Sequence, residues 1–313
     1  MRITLEQRLD LLALCRIRGI DWWLLAREAQ RPGGLERLLA GQVTESTPEA
    51  QQAVELIAEA RDTLDEHRGA AQAEVDRAAH IGAKLLTVLD PDYPRTLRLI
   101  FNLPPFLFVR GHLLERDLRS VAVVGTRKPT DLGVLKAAKM ARLLADAGVT
   151  VVSGLARGID TAAHQATLER GGRTIAVIGT GILRCYPKEN TELAERIAAA
   201  GAVVSQFWPS APPASWSFPR RNITMSGIAQ GTVVIEASAT SGAKMQARLA
   251  LQHGKKVFLL RSLVDNYPWA ARYATERNAR IVDEVEDVLG ELADPAAIRD
   301  ADDRRLQLSL ELG

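Results

Sequence analysis

The chain has 313 residues, 47% of them hydrophobic and 25% charged, with a formal charge of +2, which suits a globular protein with one large and one smaller domain. Charges run through the first thirty positions and no apolar stretch approaches the ~20 residues of a membrane span, so we expect a cytoplasmic protein without a usual secretory signal. Cys15 and Cys185 match no metal-ligand spacing, which predicts two reduced thiols and no metal site.

The N-terminal region predicts a helical domain over residues 1–82. Short helices are expected within residues 4–40, one of them from Trp22 to Ala29 with Asp21 as its N-cap. Residues 48–81 predict one long helix with a charged face. Short helices joined by glycine turns are typical of helix-hairpin-helix modules that grip nucleic-acid backbones, and also of simple helical packing domains. The sequence leaves both readings open.

Residues 83–289 predict an α/β domain. Residues 84–89 suggest a first strand. Further along, Pro104-Pro105 predicts an extended stretch, since a residue before proline avoids helical angles. From residue 121, apolar runs alternate with amphipathic helices. The runs lie at 121–124, 149–152, 174–178, 202–205, 232–235, 257–260 and 280–282. This alternation predicts a mostly parallel sheet with helices on both faces.

Charge is unevenly distributed along the chain. Residues 121–282 hold 21 Lys and Arg against 10 Asp and Glu, whereas residues 283–313 hold 3 basic and 10 acidic residues. A strongly positive domain favours a polyanionic ligand. Residues 290–313 are predicted to be an acidic tail, and its alternating leucines at 306–312 predict a strand against this chain or a partner. Opposite charge also raises the hypothesis that the tail folds over the basic domain.

The carboxyl ends of the predicted strands carry glycine turns and arginines. Ligands of open parallel sheets bind at this edge, and helix N-termini there offer backbone N–H groups to anions. Guanidinium groups add donors whose geometry matches phosphate oxygens. The sequence therefore predicts a phosphate-binding crevice. Its members follow the first, second and fifth of these strands or open a helix: Gly125, Thr126, Arg127, Ser153, Gly154, Arg157, Arg221, Asn222, Ser241 and Gly242.

Three ionisable residues near this crevice have alternative interpretations. His164 is either a base or a structural histidine, and the latter is favoured because it has no partner in the sequence. Asp160 is expected to cap the helix that it opens. Glu236 is either a general base or a group that orients an arginine, which is the favoured role. Gly-x-Gly-x-x-Gly and Gly-x4-Gly-Lys-Ser/Thr are absent, which disfavours a nicotinamide or flavin cofactor and a P-loop ATPase.

Several ordered motifs resemble the DprA/Smf DNA-processing family. They are Val-Ala-Val-Val-Gly-Thr-Arg (121–127), Val-Val-Ser-Gly-Leu-Ala-Arg-Gly-Ile-Asp (151–160), Tyr186-Pro187 with Asn190, Phe-Pro-Arg-Arg-Asn (218–222) and Ser241-Gly242. The resemblance implies an extended Rossmann-like domain preceded by a SAM-like helical module. It further implies a non-catalytic, homodimeric protein without cofactors that binds single-stranded DNA and helps load a RecA-type recombinase during natural transformation. The ten crevice residues would form the DNA-phosphate pocket. Lys244, in the same loop as Ser241 and Gly242, would assist them.

The chain departs from the family pattern at four places. Gln206 replaces a glutamate, Ile223 a second arginine and Gln246 a threonine, while Arg261–Tyr273 replaces a glycine-rich segment. No C-terminal winged-helix module is expected. These departures predict altered binding loops.

Aromatic residues near the arginines are candidates for stacking on bases: Trp208, Trp216, Phe218, Tyr267 and Trp269. Two other functions stay open beside DNA binding. One is a small-nucleotide sensor or nucleotide N-glycosidase-like Rossmann protein, which would use Glu236 with a nearby arginine. The other is an interaction module in a mobile-element or defence system, with the acidic tail as its docking element.

Overall fold

The structure, a computed structural model, describes residues 3–311, and the side chains of all of these except 302 and 305–311. Within that range the strands are β1 Lys84–Thr87, β2 Phe106–Gly111, β3 Ser120–Val124, β4 Thr150–Ser153, β5 Thr174–Val177, β6 Ala202–Ser205, β7 Gly231–Val234, β8 Lys256–Leu260 and β9 Arg280–Val282. These described strands form one nine-stranded sheet in the order β1-β2-β6-β5-β4-β3-β7-β8-β9. The strands from β3 to β9 are parallel, and β2 joins β6 antiparallel.

Helices precede the sheet and connect its strands. They are α1 Leu5–Arg16, α2 Trp22–Ala29, α3 Gly34–Leu39, α4 Pro48–Glu59, α5 Leu64–His80, α6 Arg95–Arg98, α7 Asp131–Asp146, α8 Ile159–Glu169, α9 Thr191–Ala200, α10 Ser217–Ile228, α11 Gly242–Gln252, α12 Arg261–Asn266, α13 Pro268–Glu276, α14 Val285–Leu289 and α15 Pro295–Glu311. Among the described residues, none of these helices combines the length and hydropathy that crossing a bilayer requires.

The central strands are buried on both faces, as their continuous apolar sequences predict. In β3, Val121 and Val123 pack in one core with residues of α7 and α8. Alternate side chains point to opposite faces of a strand, and Ala122 and Val124 accordingly pack in the other core. The predicted fold class, a mostly parallel sheet with helices on both faces after a helical N-terminal region, is confirmed. The domain boundaries at residues 82 and 289 stay predictions.

The N-terminal helices follow the sequence pattern with one exception. Helix α2 has the predicted bounds, and the Asp21 carboxylate accepts hydrogen bonds from the backbone N–H groups of Trp23 and Leu24. The single long helix predicted over 48–81 is wrong, because a 3-10 turn at Arg61–Thr63 separates α4 from α5. The turn lets α5 pack along α1, where Arg68 pairs with Asp10 at 2.5 Å.

The acidic C-terminal segment is helical. The strand predicted over 306–312 is wrong for residues 306–311, which belong to α15, and residue 312 lies outside the described residues. Alanine, arginine and leucine favour helices, and Pro295 suits a first helical turn. Arg299 pairs with Glu115 before β3, and Gln230 before β7 bonds both backbone groups of Ala293. These contacts hold the segment at the amino-terminal edge of the strands, away from the predicted crevice.

A histidine at the end of α11 connects three parts of the fold. His253 donates from Nε2 to Asn102 Oδ1 at 2.9 Å, and its Nδ1 accepts from the hydroxyl of Ser226 in α10 at 3.0 Å. Burial, with the nearby charge of Lys255, lowers the pKa of His253 from 6.5 to about 4. The folded protein therefore holds this ring neutral at pH values where the unfolded chain would protonate it.

We expect acidification to destabilise the fold through His253. Because the pKa is depressed in the folded state, the free energy of unfolding falls as pH drops from 6.5 towards 4. The ring is partly exposed, so its contribution between pH 7 and pH 5 is about 1 kcal/mol. Urea unfolding at both pH values measures it, with His253→Gln as the comparison. An equal loss of stability in wild type and variant would contradict this assignment.

Candidate nucleic-acid interface

A small basic cavity opens at the carboxyl ends of β3, β4 and β5. Its volume is about 30 Å³, and it is lined by backbone and side chains of Arg127, Gly154, Ala156, Arg157, Tyr186, Pro187, Phe218 and Arg221. Cavities that enclose drug-sized or cofactor ligands measure ~300–1,000 Å³. The cavity therefore suits a single anionic group at the surface, such as one phosphate of a longer chain.

Arg221 forms the floor of this cavity. Only 5% of the residue is exposed, and its Nη1 donates to the carbonyl oxygens of Gly154 and Val177. Its Nε donates to Asn222 Oδ1 at 3.0 Å. Burial lowers the pKa of the Arg221 guanidinium, and the negative charge of Asp160 opposes that shift. Among the described residues, no hydrogen-bond acceptor contacts Nη2, which leaves this amino group for a ligand.

Asp160 fixes the loop after β4. Its carboxylate accepts from the backbone N–H groups of Gly154 at 3.0 Å and Ala156 at 3.4 Å. The predicted capping role is wrong, because Gly158 is the N-cap and Asp160 already lies within α8. The same loop is held from its other side, where Asn190 Nδ2 donates to the Leu155 carbonyl at 2.9 Å. The backbone N–H of Gly154, one of the predicted phosphate-binding residues, is thus already engaged.

Two exposed arginines stand at the rim of the cavity. The Arg127 guanidinium carbon lies 5.2 Å from the centre of the Phe218 ring, and among the described residues no carboxylate pairs with it. Arg157 pairs with Glu189, with 2.6 Å between Nη2 and Oε2. A phosphate must compete with Glu189 for Arg157, whereas Arg127 is available. The cavity accordingly combines a buried guanidinium with a freely exposed one.

The remaining predicted residues lie behind or beside the cavity. Gly125 packs against Ile159, Thr126 donates its N–H to the Glu236 carbonyl at 2.7 Å, and the buried Ser153 hydroxyl donates to Val123. Ser241 caps α11, which Gly242 begins, and Lys244 Nζ lies 5.8 Å from the Trp269 ring centre. The structure brings Arg127, Gly154, Arg157 and Arg221 together in one cavity. The full predicted binding set stays a prediction.

Comparison with known proteins gives a family match. The model of the family described as DNA recombination-mediator protein A matches residues 84–293, a range that contains every strand of the described sheet and the whole cavity. The chain belongs to this family.

Individual proteins are also similar to this chain in sequence. Protein Smf of Synechocystis is 42% identical over 181 residues, which cover 56% of this chain and 46% of that protein. The DNA processing protein DprA of Streptococcus pneumoniae is 37% identical over 206 residues, which cover 66% of this chain and 73% of that protein. The chain thus spans between about half and three quarters of these relatives.

Two solved structures from the family share the fold. The DprA structure from S. pneumoniae superimposes with a TM-score of 0.74 and 29% identity, covering 94% of this chain and 100% of that one. The Helicobacter pylori structure, whose description concerns the single-stranded DNA binding mode of DprA, has a TM-score of 0.60 and 25% identity over 68% of this chain and 97% of that one.

The other ionisable candidates have structural roles in this family member. The Glu236 carboxylate accepts from the Thr130 hydroxyl at 2.9 Å and from the Thr130 N–H, so it holds the start of α7, and among the described residues it pairs with no arginine. His164 is fully buried against Thr174 Oγ1 at 2.7 Å. Burial, and then the charge of Arg221, lowers the pKa of His164 to about 3. His164 is therefore a neutral histidine in the core, which is the structural role that the sequence analysis favours.

The departures from the family pattern lie mostly in the core. Gln206, Ile223 and Gln246 are all buried. The Gln206 side-chain oxygen accepts from the Thr224 hydroxyl, and Gln246 Nε2 lies 3.5 Å from Thr232 Oγ1. Whether these three substitutions alter the binding loops stays a prediction. In the fourth departure, Arg261 forms an exposed ion pair with Asp283 outside the cavity lining.

The predicted aromatic residues divide into two groups. Trp208 packs against Trp22 and Phe106, and Trp269 is buried beside Tyr273. Phe218 lines the cavity, with its ring centre 5.7 Å from that of Tyr186, which is 44% exposed. Tyr186 was not among the predicted stacking residues. Its place in the Tyr186-Pro187 motif was the only signal available.

Proposed function

We propose that this protein binds single-stranded DNA as a recombination mediator. The observation that carries the proposal is the cavity that the buried Arg221, with its uncommitted Nη2, shares with the exposed Arg127. Bidentate or paired guanidinium donors match phosphate oxygens. The positive charge of residues 121–282 extends attraction beyond this one group.

The shape of the cavity supports a strand that passes over it. Phe218 and Tyr186 stand beside the arginines with their rings 5.7 Å apart, and base stacking on such rings tolerates any sequence. A small volume of about 30 Å³ accommodates one phosphate, while the bases lie outside over the aromatic rings. The description of the H. pylori relative as a single-stranded DNA binder supports the same class of ligand.

The proposed role includes partners that the resemblance to the family implies. As a DNA recombination mediator, the protein would coat incoming single strands, help load a RecA-type recombinase during DNA uptake, and act as a homodimer. Two free cysteines among the described residues support a cytoplasmic location. Recombinase loading is measured as strand exchange on DNA that a single-strand-binding protein already covers.

Salt dependence of DNA binding tests the proposal. We expect a labelled ~30-nucleotide single strand to bind more tightly than the matching duplex in fluorescence anisotropy. The logarithm of the affinity should fall with that of the salt concentration, with a slope near −0.7 per neutralised phosphate. Binding of a mononucleotide with a shallow salt slope, and none of the single strand at low salt, would contradict it.

A further inference from the structure

An exposed tryptophan stands next to the cavity. Trp216 is 56% exposed and directly precedes α10, whose second residue, Phe218, lines the cavity. The Arg220 guanidinium carbon lies 5.6 Å from the centre of the Trp216 ring and 5.7 Å from that of Trp23. Trp23 belongs to α2, so this group joins the helical N-terminal region to the sheet. We call Trp23, Trp216 and Arg220 the bridging cluster.

The cavity and the bridging cluster lie along the same edge of the sheet, at the carboxyl ends of neighbouring strands. Arg127 follows β3, Gly154 follows β4, and Phe218 covers Gly179 after β5, where an added Cβ would come within 2.7 Å of the ring. Trp216 rests edge-on against Phe207, which follows β6, with 5.8 Å between ring centres. Neighbouring strands lie ~4.8 Å apart, so β3 to β6 spans about 15 Å.

The chemistry of the cluster suits a nucleotide. Arg220 is exposed, and among the described residues no carboxylate pairs with it. Its guanidinium lies against two indole rings, which orients it while leaving its N–H groups to solvent. An indole ring beside an available cation is the combination that binds a base and its adjacent phosphate in single strands.

We propose that the bridging cluster is a second subsite for single-stranded DNA. Trp216 stacks on a base that flanks the cavity-bound phosphate, and Arg220 neutralises the next phosphate. Through Trp23, the helical N-terminal region takes part in binding by fixing Arg220. This inference rests on the proposed function, and its test separates the two.

Trp216→Ala provides the test, with Phe101→Ala as a matched control. Phe101 is also 56% exposed, but it packs on His253 at the end of α11, away from the cavity. We expect Trp216→Ala to weaken binding of a ~30-nucleotide single strand at least five-fold, because stacking on one aromatic ring contributes ~1–3 kcal/mol per base. Competition by inorganic phosphate, which reaches only the cavity, should be unchanged. Phe101→Ala should behave as wild type with both.

Two further variants identify the contacts. Arg220→Ala should make the salt slope shallower by about 0.7, the contribution of one phosphate. Trp216→Phe should keep most of the affinity, because its ring still stacks, while the quenching of protein fluorescence by DNA decreases. An unfolding curve of each variant checks that it is folded.

The outcomes distinguish the subsite from the cavity. If Arg127→Ala weakens binding while Trp216→Ala and Arg220→Ala bind the long strand as wild type does, the bridging cluster is no subsite and the proposed function stands. If none of the three affects binding, the cavity is not the DNA site either. If the wild-type protein binds no single strand at low salt, the proposed function fails as well. Equal losses in Trp216→Ala and Phe101→Ala would also overturn the subsite.

Discussion

Replacing Arg221 by alanine is expected to lower the free energy of unfolding by about 3 kcal/mol or more. The change removes the donor to the carbonyl oxygens of Gly154 and Val177, and each unsatisfied buried group costs ~1–3 kcal/mol. Burial raises the pKa of Asp160, and the positive charge of Arg221 opposes that shift. The substitution removes this opposing charge as well. Breaking one side of a buried charge arrangement is among the most destabilising substitutions.

Urea unfolding of Arg221→Ala measures this effect, and the neighbouring Arg220→Ala is its control. Arg220 is exposed, so we expect its removal to change the free energy of unfolding by about 0.5 kcal/mol at most. Similar stability in the two variants would show that Arg221 is not the floor of the cavity. Loss of DNA binding in Arg221→Ala alone is uninformative unless its folded fraction is measured at the same temperature.

Replacing Arg127 by alanine should have the largest effect on DNA binding without affecting the fold. Arg127 is exposed, lies over Phe218 and has no carboxylate partner among the described residues. A hydrogen bond to a charged group contributes ~1.5–3 kcal/mol, so we expect about 10- to 100-fold weaker binding of a ~30-nucleotide strand at low salt. Fluorescence anisotropy measures it, together with a salt slope that is shallower by about 0.7.

Arg142→Ala controls for the loss of one positive charge. Arg142 is exposed on α7 but does not line the cavity. Its removal should change affinity no more than two-fold, because the Debye length is ~10 Å at 0.1 M salt. Equal weakening by both substitutions would mean that overall charge, and no particular arginine, determines affinity.

The sheet could be predicted well because its signals are local. Each parallel strand from β3 to β9 matches a predicted apolar run within one or two residues, since a strand buried on both faces needs nearly continuous apolar side chains. Strand β2 has no counterpart among the predicted strands. Its Phe-Leu-Phe-Val sequence follows two prolines, and its pairing with β1 on one side and β6 on the other makes the segment a strand.

The site could be predicted at the level of loops but not of atoms. The strand-end rule and the predicted start of a helix at Arg221 led us to expect Arg127, Gly154, Arg157 and Arg221 in one crevice, and all four line the cavity. Burial was not predictable, because it depends on which neighbours close over each residue. Arg221 and Asp160 are charged residues next to glycine turns in the sequence, yet both are buried, and Glu236, for which an arginine-orienting role is favoured, holds the start of α7 instead.

The bonds that Asp160 and Asn190 make to the loop after β4 bear on the kinetics of binding. Because these bonds fix the loop in the free protein, an arriving strand need not order it and encounters a rigid surface. Association should then be limited by diffusion and charge attraction, and should slow as salt rises. Differences between oligonucleotides of equal length and charge should appear almost entirely in how long each complex lasts.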